Sequence, residues 1–543
     1  GIAEARLVVE TGIDVEGVNL LGGPELPGVV RANVNEAEES RLAAAGWTVI
    51  PVRNLSKERG RELDRQWAET GAHDPAKSAG DADPRYDNWY TMVQLGNELS
   101  ALAAAYPNLV QVASIGNSVQ GKPIWVLKLS DNVADEEAEP EFKFTSSIHG
   151  DEVTGMELCR LMIHYLLDNY GTDPSITNLV DNAELWFCPM HNPDGYTNHT
   201  RYNYQGYDLN REFPDPVTDP NNSPAGRPVE VQHMMNFQYP HNFVLGANYH
   251  GGALVMNFPW DCRSTNCPDH EIYWPIAEGY SNLNQPMWNG EFYHGWTVGG
   301  QWYVIHGGFQ DWAYNWEREL HITIEISNTK WPSWSQMPTY WNQNRDAMLW
   351  YMNRVLGTGV KGIVTDGITG LPLAATVTVN GIGLPIESDL EVGDYHRLLN
   401  AGTYQIVYTR TGYEEYVAQN VVVVNGQMTV CNVQLYPVGS GAPDVGPARL
   451  ALSRPSPNPL GASAKETRLT FDLPATGPCR VVVCDVTGRA VRALLSAPAL
   501  AAGAHDLVWD GRDDAGAEVP GGVYWIRLDA SGRAVTQRVA VVR

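Results

Sequence analysis

Positive charge is in short supply in this chain. Its 37 lysines and arginines face 63 aspartates and glutamates, for a formal net charge of −26. Gripping a phosphate backbone needs a basic surface, so nucleic acid is excluded as a partner. An acidic surface favours solubility and draws cationic substrates. Long apolar runs are missing too. Nothing approaches the roughly 20 consecutive apolar residues that span a bilayer as a helix, so no transmembrane segment is expected. No signal peptide is visible in the sequence as numbered from Gly1, and a leader removed before that residue is the expectation. None of the seven cysteines stands in a Cys-x-x-Cys pattern, so neither a structural zinc finger nor a redox motif is supported. Cys262 and Cys267 flank a short polar loop and can either form a small disulfide or stand free. Cys479 and Cys484 lie an odd number apart on one strand, face opposite sides and should not pair.

What is present is apolar residue in normal globular proportion, with abundant Trp and Tyr, over a length of 543 residues that calls for three or four domains. Residues 1–60 read strand, helix, strand: Leu7 to Val9, a helix from a cap at Asn35 through Ala45 that Gly46 ends, then Trp47 to Val52. They form an accessory or prosegment-like module. Residues 61–84, charged and rich in Gly, Ala and Asp, read as a linker.

Residues 85–356 alternate helix and strand. Thr91 to Tyr106 and Met156 to Tyr170 have helical spacing. Strands are expected at 142–148, 184–190, 242–249 and 321–327. This predicts an α/β domain with a mixed, mostly parallel sheet and helices on both faces. From 357 to 437, short β-branched runs alternate with turns. Residues 438–449 are a Gly/Pro/Ala linker, and 450–543 are again all-β. Both stretches fit small β-sandwiches.

Two short motifs carry the chemistry. His149-Gly150-Asp151-Glu152 follows one strand, and His250 ends another. Sites in open α/β sheets form beyond the carboxyl ends of the strands. Two imidazoles and a carboxylate there make the ligand set of a catalytic Zn2+ whose fourth position stays open to water. On the strand from Leu320 to Ser327, Leu320, Ile322, Ile324 and Ile326 share one face, and His321, Thr323, Glu325 and Ser327 the other. A carboxylate in mid-strand is costly without a partner. An activated water is such a partner, with Glu325 as its general base. Arg201, Asn210 and Arg211 lie in a loop after the Asn192-Pro193-Asp194-Gly195 turn, where arginine suits a carboxylate ligand.

These segments, with Asp208-Leu209-Asn210-Arg211, His250 to Leu254, Trp302 to Trp312 and Glu325, resemble the zinc metallocarboxypeptidases, in particular the regulatory N/E subfamily of carboxypeptidases D, E, M and N. The resemblance implies that His149, Glu152 and His250 bind zinc. It makes Glu325 base and then acid, and gives the oxyanion to Arg201. Asn210, Arg211 and Tyr303 hold the substrate's terminal carboxylate. Asp261, eleven residues after His250, reads a basic terminal side chain, so the implied activity is removal of single C-terminal Arg or Lys residues from peptides or proteins. Glu212 departs from the family's usual Asn, and Cys262 from a frequent Asp.

Residues 357–437 resemble the transthyretin-like sandwich that follows this subfamily's catalytic domain. The last stretch resembles the Ig-like C-terminal sorting domains of secreted bacterial proteins, on Pro457-Asn458-Pro459, Asp485 to Arg489, Trp509-Asp510-Gly511 and Gly522-Val523-Tyr524. That implies a secreted or cell-surface location, reached through bacterial secretion machinery of the type IX kind. Two alternatives stand beside the peptidase. One is a related zinc amidohydrolase or deacylase, which retention of Arg201, Asn210, Arg211 and Tyr303 disfavours. The other is a catalytically inactive cell-surface binding module, which retention of Glu325 disfavours.

Overall fold

The computed structural model describes residues 41–46, 48, 89–439, 450–461, 465–473, 477–486, 488–500, 503–530 and 533–543. The strands expected at 7–9 and 47–52, most of the helix from Asn35 and the 61–84 linker lie outside these residues. Of that N-terminal reading, residues 41–44 are helical, and Gly46, at φ +85°, follows the last turn.

Eight strands form the central sheet: β1 (Val110–Asn117), β2 (Pro123–Leu129), β3 (Glu141–Ser146), β4 (Glu184–Cys188), β5 (Phe243–His250), β6 (Leu254–Phe258), β7 (Trp296–Val298) and β8 (Leu320–Ile326), in the order β1-β2-β4-β3-β5-β8-β6-β7. The central four, β4, β3, β5 and β8, run parallel. β1, β2 and β6 join antiparallel. The sheet is therefore mixed, as expected. Every residue of β3, β5 and β8 is buried, the condition of strands covered on both faces.

The cover comes from helices α1 (Met92–Ala105), α2 (Thr154–Asn169), α3 (Val229–Gln238), α4 (His270–Leu283), α5 (Phe309–Asn315) and α6 (Met337–Met352). Thr91 and Gln94 close a capping box that starts α1 where the sequence places it. Apolar residues of α1, α2, α4 and α6 pack on one face in the main core. Val231, Met234 and Met235 of α3 join Phe309 and Trp312 of α5 on the other. β2 serves both cores, giving Leu127 and Leu129 to the first and Ile124 and Val126 to the second, as strand alternation requires. β8 does the same: Leu320, Ile322, Ile324 and Ile326 enter the main core, while the His321 ring lies tilted against Phe309 at 4.6 Å.

Residues 359–435 make two small sheets, β11-β10-β13-β14 and β12-β9-β15 with β16 beside β9. The strands are β9 (Gly359–Asp366), β10 (Thr376–Val379), β11 (Ile386–Glu387), β12 (Asp394–Leu398), β13 (Gly402–Thr409), β14 (Tyr416–Val423), β15 (Met428–Val430) and β16 (Val433–Leu435). They close over Val360, Val377, Ile406 and Tyr408. This sandwich belongs to the same compact unit as the α/β sheet, which runs to Leu435. Buried Arg397 of β12 pairs with buried Asp269 at the start of α4.

A second unit, Tyr436–Arg543, has its own core around Phe471, Trp509 and Ile526, between a three-stranded and a four-stranded sheet. All seven cysteines are free thiols. Cys262 and Cys267 are buried and not bonded to each other, which settles the alternative left open by their spacing.

Candidate metal centre and cleft

His149 and Glu152 come from the loop after β3, and His250 is the last residue of β5. β3 and β5 are parallel neighbours paired at Ser146 and Tyr249, so both chains leave the sheet side by side. Ser147, at φ +55°, ends the strand two residues before the expected boundary and turns the chain out of the sheet. The loop then packs on the Asn192–Gly195 turn. The Asn192 side-chain amide donates to Ile148 O at 3.2 Å, and its Oδ1 accepts from Gly195 N at 2.8 Å. A Cβ on Gly150 would lie 2.0 Å from the Gly195 carbonyl carbon, so glycine is required for that contact.

The three side chains are 1%, 2% and 3% exposed. His149 Nδ1 lies 3.1 Å and His250 Nδ1 2.9 Å from the same oxygen, Glu152 Oε2. The outer ring nitrogens are also held: His149 Nε2 is 3.1 Å from Asp208 Oδ1, and His250 Nε2 is 3.0 Å from the Asn248 amide. One ligand atom from each residue lies within 4.8 Å of the others, close enough to share one ion. Two imidazoles and a carboxylate, each imidazole oriented by a second partner, is a donor set that fits zinc. Lys330 Nζ donates to the remaining oxygen, Glu152 Oε1, at 2.9 Å. Burial opposes ionisation of Glu152, but His149, Lys330 and His250 together hold its carboxyl well below the usual range. Burial and Arg201 likewise oppose a charge on His149, and the carboxylates of Glu152 and Asp208 outweigh them, pushing it up to about 9.

Arg201 donates from Nε to Asp208 Oδ2 at 2.7 Å, and its Nη1 lies 3.0 Å from His149 Nδ1. Glu325 is the register partner of His250 on the adjacent parallel strand. Both line a cleft together with Asn210, Asn257, Asp261, Trp302, Tyr303 and Thr323. Asp261 is 6% exposed and approaches so closely that a Cβ on Gly299 would meet its Oδ1 at 1.7 Å. Burial and the neighbouring Asp311 push its carboxyl well above the usual range, against the pull of Arg211. Arg211 adjoins the cleft beside Asn210, its Nη1 donating to Asn210 O at 2.9 Å.

The cleft thus unites Glu325, His250, Asn210, Tyr303 and Asp261, and His149, Glu152 and Arg201 join it through the metal centre. Sequence reasoning gave no part to Asp208, Lys330, Gln310 or Asp311. Gln310 Nε2 donates to Asp261 Oδ1 at 2.9 Å. Asp311 accepts from the backbone N–H groups of Asp261 and Cys262 at 2.8 and 2.9 Å. Asp208 and the Gln310–Asp311 pair stood inside motifs already singled out, whereas Lys330 carried no signal. Of the two departures, Glu212 lies outside the cleft lining; burial and Asp208 push it up to about 7, with Arg227 opposing.

The zinc carboxypeptidase family matches residues 95–347, and the FlgD Ig-like domain matches residues 459–533. The catalytic chain of carboxypeptidase N from Homo sapiens is 31% identical over 418 residues, covering 68% of this chain and 88% of that one. Carboxypeptidase M from Mus musculus is 34% identical over 351 residues, 59% of this chain and 78% of its own length. The chain belongs to the zinc carboxypeptidase family. Carboxypeptidase D from Rattus norvegicus is 38% identical over 355 residues, 60% of this chain, and the match spans 25% of that much longer relative.

Proposed function

We propose that the chain is a zinc-dependent exopeptidase that removes single C-terminal residues, Arg or Lys by preference, from peptides or proteins. The observation that carries this reading is one cleft holding Glu325, Tyr303 and Asp261 beside the His149–Glu152–His250 donor set. His149, Glu152 and His250 would hold the zinc. When bound, such an ion supplies Lewis acidity, lowering the pKa of a water toward about 7 and polarising a carbonyl.

The remaining work falls to the chain's own groups. Glu325 takes the proton from the attacking water and hands it to the leaving amine. Arg201, oriented by Asp208, donates to the oxygen on which negative charge develops, a contribution typically worth on the order of 10²–10³ in turnover. Asn210, Arg211 and Tyr303 take the free carboxylate and confine cleavage to the last residue. Asp261 receives the cationic side chain. Asp208 and Lys330 orient the metal-binding side chains.

The sandwich of residues 359–435 is read as the transthyretin-like companion, braced on α4 by the Arg397–Asp269 pair. The Ig-like unit at the C-terminus is read as a signal for export to the bacterial cell surface or beyond by type IX secretion. Among the described residues, no helix is long and apolar enough to cross a membrane.

The test is a blocked dipeptide ending in Arg against its C-terminal amide. The expected result is a loss in kcat/KM on the order of 10² or more for the amide, because the groups built to pair with a carboxylate are left unpaired. Equal cleavage of both would favour an amidohydrolase, and cleavage of neither a binding module.

A further inference from the structure

Two stretches far apart in the chain carry the groups assigned above to the terminal carboxylate: Asn210–Arg211, and the turn through Tyr303. They meet around Gly307, and just beyond it Phe309 N donates to Asn210 Oδ1 at 2.9 Å. Asp215, four residues past Arg211, is 1% exposed. Its Oδ1 accepts from Val217 N at 2.8 Å and Thr218 N at 2.6 Å, and its Oδ2 from Gly307 N at 3.2 Å. Burial opposes its ionisation, but these N–H donors hold the carboxyl below the usual range and leave a fixed anion under the turn. Gly307, at φ +71°, lies so close to the first stretch that a Cβ would be 2.2 Å from Arg211 O, and its carbonyl accepts from Phe213 N at 3.0 Å. His306, just before it, places Nδ1 3.2 Å from both Asp215 oxygens. The imidazole is 42% exposed, so it is not packing the core. No step of the proposed chemistry uses it.

We propose that His306 is a positioning residue: through Asp215 it clamps the Tyr303 turn onto the Asn210–Arg211 stretch and so sets how tightly a peptide's terminal carboxylate is held. The clamp rests on the carboxylate-binding part of the peptidase reading above. It touches no reacting atom. A carboxylate gripped equally in the ground and transition states changes KM and leaves kcat alone. A half-exposed pair contributes modestly, so the effect is a few-fold.

The experiment compares wild type, His306→Ala and His306→Asn on a blocked dipeptide ending in Arg. Asn keeps an N–H donor near the position of Nδ1. The expected result is a KM raised about three- to fivefold in His306→Ala, with kcat within about twofold, KM within about twofold of wild type in His306→Asn, and coincident thermal midpoints. An unchanged KM in His306→Ala, a loss confined to kcat, or an Asn variant no better than Ala would overturn the clamp. Calorimetric binding of a peptide ending in Arg separates the two readings. If wild type binds without turnover while His306→Ala binds three- to fivefold more weakly, the peptidase reading falls and the clamp stands.

Discussion

On the proposed reading, one buried acid, Asp261, carries the cleft's preference for a basic terminal residue. Burial and Asp311 favour its protonated form, and Gln310 donates to one of its oxygens. An entering guanidinium or ammonium would, on that reading, restore the charge and pair with it, whereas a neutral side chain would offer nothing in exchange for the lost solvent. Asp261→Asn is therefore expected to cut kcat/KM for release of Arg on the order of 10²-fold, since removing one partner leaves the other charge buried. Release of Phe should stay within about fivefold, so the measured Arg-to-Phe ratio is the readout. Asp261 was singled out only through the family resemblance, which places a specificity acid eleven residues after His250. Gln310 and Asp311 were not, because their part depends on α5 approaching the Asp261 loop in space. The same holds for Lys330: a lysine five residues past Glu325 says nothing until the chain leaving β8 brings it 2.9 Å from Glu152.

At the scale of elements, β8 was the most legible part of the fold. Its alternation put Leu320, Ile322, Ile324 and Ile326 on one face and His321, Thr323, Glu325 and Ser327 on the other, and the first four do enter the main core together. Helix and strand periodicity also placed α1, α2 and the central parallel strands. The antiparallel joining of β1, β2 and β6 was not readable, since pairing partners are set by tertiary packing rather than by local pattern. Pro275 inside α4 is a breaker by sequence rules, yet the helix runs through it.

Beneath the sheet, buried Lys143 of β3 donates to Glu319 Oε2 at 2.9 Å, and His321 Nδ1 sits 2.9 Å from Glu319 Oε1. Burial opposes the charge on Glu319, but Lys143 and His321 hold its carboxyl down at about 2, against an ordinary 4.5. Glu319→Gln would leave an ammonium buried without a counter-charge, at a cost of about 3–5 kcal/mol, measurable by urea unfolding at neutral pH. A carboxyl depressed in the folded state stabilises above its unfolded value and ceases to as pH falls through its folded value. In wild type this contribution is expected to be complete above about pH 4.5 and lost toward about pH 2. The variant should lack that part of the acid limb, and an unchanged acid limb would remove Glu319 from the ion pair.

At the scale of the whole molecule, the change of texture after residue 356 was visible because short β-branched runs replace helical spacing. The brace between the first sandwich and α4 was not visible, because Arg397 and Asp269 are 128 residues apart and only folding makes them a pair. The net charge of −26 gives the molecule an acidic field suited to drawing in basic peptides. On the proposed reading, His149, Glu152 and His250 hold a zinc on which Glu325 depends for its water. The most direct measurement is release of free Arg from a blocked dipeptide by the full chain before chelation, after it, and after zinc is returned. The account predicts Arg release faster than Phe release, abolished by the chelator and restored by about one equivalent of zinc per chain. Release that continues undiminished in a chain shown to be metal-free would contradict it.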